Sequence, residues 1–279
     1  MEAKQGHNRM LKELFTLKGD VVITGAAGLM GKSHAEAVLE AGGNVILIDI
    51  NKSNLEKISK KLNETYQGKV NFFVCDITNE RDVLKVSKTL RSESRKIIGL
   101  INNAAINPSV NKKGLENDGS IEEFDLNTWD IELNVGLKGA FICTKVFGQM
   151  MVKNKYGSII NISSDLGLIA PDQRIYEQKN GTKKFKPVTY SVIKHGLVGL
   201  TKYTATYWND SNIRCNTLLP GGILDNQDKE FIKKINNLIP LGRMANKDEY
   251  KGSILFLLSD ASSYMTGSSI VIDGGRSVW

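Results

Sequence analysis

The chain is poor in the residues that cross-link, stiffen or ligate: three cysteines, five prolines and three histidines in 279 residues. Cys75, Cys143 and Cys215 lie far apart, form no metal-ligand spacing, and each sits in an apolar stretch as a small core residue would. His7, His34 and His195 are equally scattered, so no metal is expected. No apolar run approaches the roughly 20 residues that cross a bilayer. Residues 1–18 mix Lys4, Arg9, Lys12 and Glu13 with isolated apolar side chains and lack the hydrophobic centre of a signal peptide. A cytoplasmic protein with no membrane partner is expected. Linkers rich in proline or serine, shifts of composition and solenoid repeats are also missing, which implies one domain over residues 1–279.

The net charge of +7 raises the question of an anionic partner. Much of it comes from lysines dispersed over predicted helices, such as Lys52, Lys57, Lys60 and Lys61. These read as a solvated helix face. No nucleic-acid motif accompanies them, so nucleic acid is not an expected partner.

What the chain does have is alternation. Short β-branched runs at 21–24, 45–49, 70–75 and 97–101 are separated by helical patterns near 29–41, 52–65 and 80–93. A long helical stretch over about 128–153 precedes a fifth strand at 158–163. Another helix at about 189–208 leads to strands at 214–218 and 269–272. The pattern predicts an α/β fold, a doubly wound parallel sheet of about seven strands with helices on both faces. Two segments interrupt it. Residues 107–119 form a polar loop with two glycines, an exposed connection. Residues 170–187 carry Arg174, Lys179, Lys183, Lys184 and Lys186 around Tyr176 and Phe185, and loops of that length are often functional lids.

Thr24-Gly25-Ala26-Ala27-Gly28-Leu29-Met30-Gly31 follows the first strand and opens a helix, the context that makes a glycine pattern informative. Glycine permits a tight turn and close backbone approach, and the helix N-terminus stabilises a pyrophosphate. Asp49 ends the second strand, where a carboxylate accepts hydrogen bonds from both ribose hydroxyls and repels a 2′-phosphate. NAD is therefore expected over NADP, with Lys32 and Lys52 near enough in sequence to soften that preference. Downstream, Tyr190 and Lys194 are four residues apart and share one helix face. An ammonium there can hold down a phenol whose pKa is otherwise about 10. A dinucleotide site beside a proton donor implies hydride transfer.

These elements, with Cys75-Asp76-Ile77, Asn102-Asn103-Ala104-Ala105, Asn134, Ser163-Ser164 and Pro220-Gly221-Gly222 in this order, resemble the single-domain branch of the short-chain dehydrogenase/reductase family. The resemblance covers essentially the whole chain and implies a Rossmann-type sheet. It also implies roles: Gly25, Gly28, Leu29, Met30 and Gly31 would cradle the cofactor, and Asp76 and Ile77 would border its adenine. Asn103 and Ala104 would line the adenosine ribose, while Gly222 and Ile223 would meet the carboxamide side. Asn134 would support a proton relay through water, Ser164 would hydrogen-bond the reacting oxygen, Tyr190 would act as general acid/base, and Lys194 would hold the nicotinamide ribose. Ser164 is preferred to Ser163, which would point to the other side of the strand.

Several positions depart from the family pattern. Leu29 stands where single-domain members usually have glycine, and Asp225 where many place threonine. Ser164 and Tyr190 are 26 positions apart, well beyond the usual separation, and the extra residues fall in 170–187. That loop either closes over an acidic or phosphorylated sugar or is a solvent-exposed insertion. The wording of residues 163–173, with Thr206-Tyr207-Trp208 and Trp279, is similar to oxidoreductases of bacterial surface-glycan and flagellin modification. That similarity implies a sugar substrate related to sialic-acid-like sugars. A 3-oxoacyl-carrier-protein reductase shares the catalytic set but should prefer NADP and a basic residue at position 49. A non-catalytic dinucleotide sensor should have a broken set. The family implies a homotetramer, or else a homodimer, through the helices near 128–153 and 189–208. Phe147, Met151 and Ala205 are candidate contacts or else core, and Trp279 is a candidate to reach a neighbouring subunit.

Overall fold

A seven-stranded parallel sheet forms the centre of the computed structural model, which describes residues 10–106, 110–111, 114–115, 119–177, 181 and 183–279. Its strands are β1 (Asp20–Thr24), β2 (Asn44–Asp49), β3 (Val70–Val74) and β4 (Ile97–Asn102). A two-residue ladder, β5 (Val110–Asn111) and β6 (Gly114–Leu115), stands apart from the sheet, which continues with β7 (Gly157–Ile162), β8 (Ile213–Pro220) and β9 (Ser269–Ile272). The order is β3-β2-β1-β4-β7-β8-β9. The chain winds outward from β1 to β3, then returns to the other side of β1 with β4. That reversal opens a crevice at the carboxyl ends of β1 and β4, the place where such sheets bind ligands.

The strands are nearly continuous apolar runs because both faces are covered. Val21, Val22, Ile23, Leu100 and Ile101 are wholly buried. After a single turn, α1 (Leu11–Leu14), the covering helices begin with α2 (Gly31–Glu40), α3 (Lys52–Thr65) and α4 (Glu80–Ser92). Asn51 and Asn79 cap α3 and α4, accepting from the backbone N–H groups of Asn54 at 3.0 Å and Arg81 at 3.1 Å. One core layer joins Val38, Leu47, Tyr250 and Leu257; the opposite layer joins Ile48, Cys143, Phe147, Ile159 and Cys215. All three cysteines are buried.

The helical stretch expected over 128–153 is three pieces: α5 (Leu126–Leu133), a π-turn at Asn134–Lys138, and α6 (Gly139–Asn154). Two glycines let neighbours press into that bulge. A Cβ on Gly136 would lie 2.7 Å from Ile193, and one on Gly139 would lie 2.7 Å from Ile77. Then follow α7 (Val188–Tyr207), α8 (Lys229–Asn236) and α9 (Lys251–Leu258), of which the sequence pattern shows only α7. Helix α9, Lys-Gly-Ser-Ile-Leu-Phe-Leu-Leu, is too uniformly apolar to display a helical stripe, and α8 is only eight residues long.

Phe147, Met151 and Ala205 belong to the core, with Phe147 and Met151 fully buried, so they are not subunit contacts. The reason is that α6 turns Phe147 and Met151, and α7 turns Ala205, into the core layer against the sheet. The described part of 170–187 is not simply a solvated loop either. A 3₁₀ turn, Gln173–Tyr176, buries Ile175 and Tyr176, and Tyr176 packs on Phe231 of α8 with ring centroids 5.7 Å apart. Lys179 and most of the polar loop at 107–119 lie outside the described residues. Among the described residues, no helix is long and apolar enough to cross a membrane.

Gly31 fixes how tightly the turn after β1 closes on α2. A Cβ there would stand 2.3 Å from the carbonyl oxygen of Ala26. Gly31→Ala is expected to cost about 1–3 kcal/mol, read by urea unfolding, because backbone rather than a side-chain tip must move. An unchanged midpoint would contradict this packing.

Candidate active site

A cavity of roughly 620 Å³ opens at the carboxyl ends of the strands. Of the positions expected to bind cofactor, Gly25, Gly28, Leu29, Met30, Asp49, Asp76, Ile77, Asn103, Ala104, Gly222 and Ile223 form its wall, together with Tyr190 and Lys194. Gly31 lies behind the wall. A second cavity, bordered by Glu13, Lys96 and Asp260, contains none of the expected site residues. Among the described residues, no cluster of His, Cys, Asp or Glu is placed to hold a metal.

The glycine turn is built for close approach. Gly25 has φ +61, and a Cβ on it would meet the Cα of Ala104 at 2.6 Å. Asn103 braces this turn: its Nδ2 donates to the carbonyls of Thr24 and Gly25 at 3.1 and 2.9 Å. Its carboxamide is thus engaged with backbone. Leu29, which replaces the usual glycine, is 41% exposed and lines the cavity. Asp49 is held by two backbone donors, Ala27 N–H to Oδ2 at 3.0 Å and Asn51 N–H to Oδ1 at 2.9 Å. Each carboxylate oxygen keeps a lone pair for a further donor. Lys32 and Lys52 turn along their own helices toward Glu36 at 2.9 Å and Glu56 at 3.8 Å, and neither lines the cavity.

At the other end of the cavity, β7 delivers Ser164 and the first turns of α7 deliver Tyr190 and Lys194. Ser163 is engaged elsewhere, its hydroxyl donating to the Lys194 carbonyl at 2.7 Å. Lys194 Nζ donates to the Ile162 carbonyl at 2.9 Å and lies 5.4 Å from the Tyr190 ring centroid. Asn134 is not part of the wall. It begins the π-turn, where its carbonyl accepts from the Gly139 N–H, and the next residue, Val135, faces the cavity.

The electrostatics correct one expectation. Burial pushes the Tyr190 phenol up to about 12, with its hydrogen-bonding contact with Ser164 acting in the other direction. Lys194 itself is pulled down to about 8 by burial. Burial thus works against the charged form of both groups, and Lys194 is not among the causes acting on the phenol.

Three features escaped the sequence reading. The Ser164 hydroxyl donates to Asp165 Oδ1 at 2.7 Å, and Asp165 Oδ2 accepts from Arg276 Nη1 at 2.7 Å, both of these side chains being buried. Thr189 donates to the buried carboxylate of Glu132. Lys186 Nζ sits 3.9 Å over the Tyr190 ring. Only the last left a signal, a lysine four positions before the tyrosine as well as four after it.

Residues 25–277 match the family model described as Enoyl-(Acyl carrier protein) reductase. The chain is 34% identical to the 3-oxoacyl-(acyl-carrier-protein) reductase of Thermotoga maritima, across 93% of this chain and 98% of that protein. It is 32% identical to the post-translational flagellin modification protein A of Campylobacter coli, across 91% and 96%. Its identity to the D-threitol dehydrogenase of Mycolicibacterium smegmatis is 30%, across 95% of each.

The Asp165–Arg276 pair ties the C-terminal turn to the serine loop. Arg276→Met leaves a buried carboxylate unpaired and should cost about 3–5 kcal/mol in urea unfolding. Adding Asp165→Asn should restore most of that loss. Equal stability of the single and double variants would show that the pair is not coupled.

Proposed function

The chain belongs to the short-chain dehydrogenase/reductase family, an oxidoreductase family working with nicotinamide on alcohol and carbonyl groups, and we propose that it exchanges hydride between NAD and a hydroxyl or ketone carbon of a sugar or sugar derivative. The observation that carries the reading is one cavity holding the glycine turn and Asp49 at one end and Ser164, Tyr190 and Lys194 at the other. Bound NAD supplies the hydride acceptor and, when oxidised, a positive charge beside the phenol.

In oxidation, Tyr190 as phenolate takes the hydroxyl proton; in reduction, the phenol returns it to the forming alkoxide. Ser164 steadies the reacting oxygen once its hydroxyl turns from Asp165 toward the substrate. Lys194, anchored on the Ile162 carbonyl, orients the nicotinamide ribose and adds positive charge near the phenol. Asn134 serves the proton relay from the π-turn. Asp49 receives the ribose hydroxyls, and its charge favours NAD over NADP.

The D-threitol dehydrogenase relative supports a polyhydroxy substrate, and the flagellin-modification relative supports a place in surface-glycan precursor synthesis. Reduction of a 3-oxoacyl group on a carrier protein is the second reading, favoured by the 34% identical reductase. Asp49, where that activity calls for a basic residue, weighs against it. The same reading puts the enzyme in the cytoplasm as a homotetramer or homodimer. Exposed Phe141, Tyr203 and Tyr207 on α6 and α7 support a contact through those helices.

Nicotinamide absorbance with NAD and NADP across sugars, polyols and a 3-oxoacyl thioester tests the reading. Turnover with NAD and a sugar is expected, falling about 10²- to 10⁴-fold in Tyr190→Phe. NADP-linked turnover of the thioester alone would select the second reading. Oxidation should speed up with rising pH, because the working form is the phenolate, while reduction should persist at neutral pH. The reverse dependence would remove Tyr190 from the acid/base role.

A further inference from the structure

Ser164 has one hydroxyl hydrogen, and more than one group needs it. The Ser164 oxygen lies 2.7 Å from Asp165 Oδ1, and a carboxylate can only accept, so the hydrogen points at Asp165. The same oxygen accepts from the Leu166 N–H at 3.2 Å and is in hydrogen-bonding contact with Tyr190. With its hydrogen on Asp165, Ser164 can only accept from the phenol and gives nothing to a phenolate or a developing alkoxide. A working Tyr190 needs the reverse, because a donor to the charged form is what favours that form.

Asp165 is held in turn by Arg276. Its Oδ2 accepts from Arg276 Nη1 at 2.7 Å, and its Oδ1 also takes the Leu166 N–H at 2.8 Å. Both side chains are buried and both line the cavity. The turn around Arg276 fixes its place. Gly274 and Gly275 have φ +69 and +90, and Asp273 accepts from the N–H groups of Gly275 and Ser277 at 2.9 and 2.8 Å. A hydrogen bond to a charged acceptor is about twice as strong as a neutral one, so an unopposed Asp165 would keep the serine hydrogen. Burial is the largest influence on the phenol, and the two charges then act on it in opposite senses, Asp165 raising its pKa and Arg276 lowering it.

We propose that Asp165 and Arg276 are positioning residues for hydride transfer that act through Ser164. Asp165 holds the serine hydrogen in the resting enzyme, and Arg276 offsets the carboxylate so that the hydrogen passes to the phenolate or the reacting oxygen. This rests on the roles given to Tyr190 and Ser164 in the reading above. Other ionisable groups surround the chain of bonds. Lys186 and Lys194 lie 3.9 and 5.4 Å from the Tyr190 ring centroid, and Tyr176 and Tyr250 are within electrostatic reach of Asp165. Asp172 is within reach of Arg276, and Glu132 acts on Lys186 and bonds Thr189. These six stay the same in every variant below, so differences between variants report on Asp165 and Arg276.

The test is a pH titration of near-ultraviolet tyrosinate absorbance in the enzyme saturated with NAD, each protein referred to its own Tyr190→Phe counterpart. Arg276→Met should raise the midpoint by about one pH unit, a tenfold loss of phenolate at a given pH, and Asp165→Asn should lower it by a similar amount. If Arg276→Met does not fold, Asp165→Asn makes the same test with the opposite sign. Ser164→Ala separates action through the serine from a field through space. In that background Asp165→Asn should produce less than half of the shift seen with serine present. Midpoints that ignore both substitutions overturn the proposal, and so does a full-sized Asp165→Asn shift in the absence of Ser164. A wild type with no Tyr190 signal up to about pH 10 would sink the acid/base reading and this inference with it. A signal that is present but unmoved sinks the inference alone.

Discussion

Tyr190 has two ammonium groups beside it, Lys186 at 3.9 Å and Lys194 at 5.4 Å from its ring centroid, in a pocket where burial opposes charge on all three. A phenol raised to about 12 is a poor base at neutral pH. Two lysines pulled down to about 7 and 8 hold their charge only partly. Burial disfavours the charged form of each group, so a charge brought close by shifts their protonation. Oxidised cofactor is the charge that the proposed reaction brings to this site.

The sheet makes this balance possible by bringing distant residues to one end of the strands. The reversal of strand order between β1 and β4 opens the crevice, and the loops after β1, β2, β4, β7 and β8 all reach it. Close backbone contacts hold the parts in place. Gly25 lies against Ala104, Gly31 against Ala26, and Asn103 bonds the turn from β4. Asp49 is rigid for the same reason, since two backbone N–H groups orient its carboxylate before any ribose arrives.

Much of this was legible in the sequence. Strands buried on both faces leave uninterrupted β-branched runs, and the strand at Ser269–Ile272 falls where the pattern put it. The glycine turn and the Tyr190–Lys194 spacing are local signals, and local signals read well. What stayed hidden depends on partners far away in the chain. Arg276 and Asp165 are 111 positions apart, and nothing around either residue announces the other. Helix α9 is buried on too many sides to show a stripe. Phe147 and Met151 looked equally suited to core or interface, because an apolar face does not say what covers it. Segment 170–187 read as a charged loop, and only the packing of Tyr176 on Phe231 shows that it is anchored.

The most direct measurement is the near-ultraviolet tyrosinate absorbance on adding NAD to the enzyme without substrate, compared with Tyr190→Phe. The account predicts that oxidised cofactor, by placing positive charge beside a phenol otherwise near 12, brings tyrosinate into view between neutral pH and about pH 9 in the wild type alone. NADH, which lacks that charge, should produce none. Identical spectra for the two proteins with NAD bound would contradict it, because the dinucleotide would then occupy a site to which Tyr190 is not electrostatically coupled.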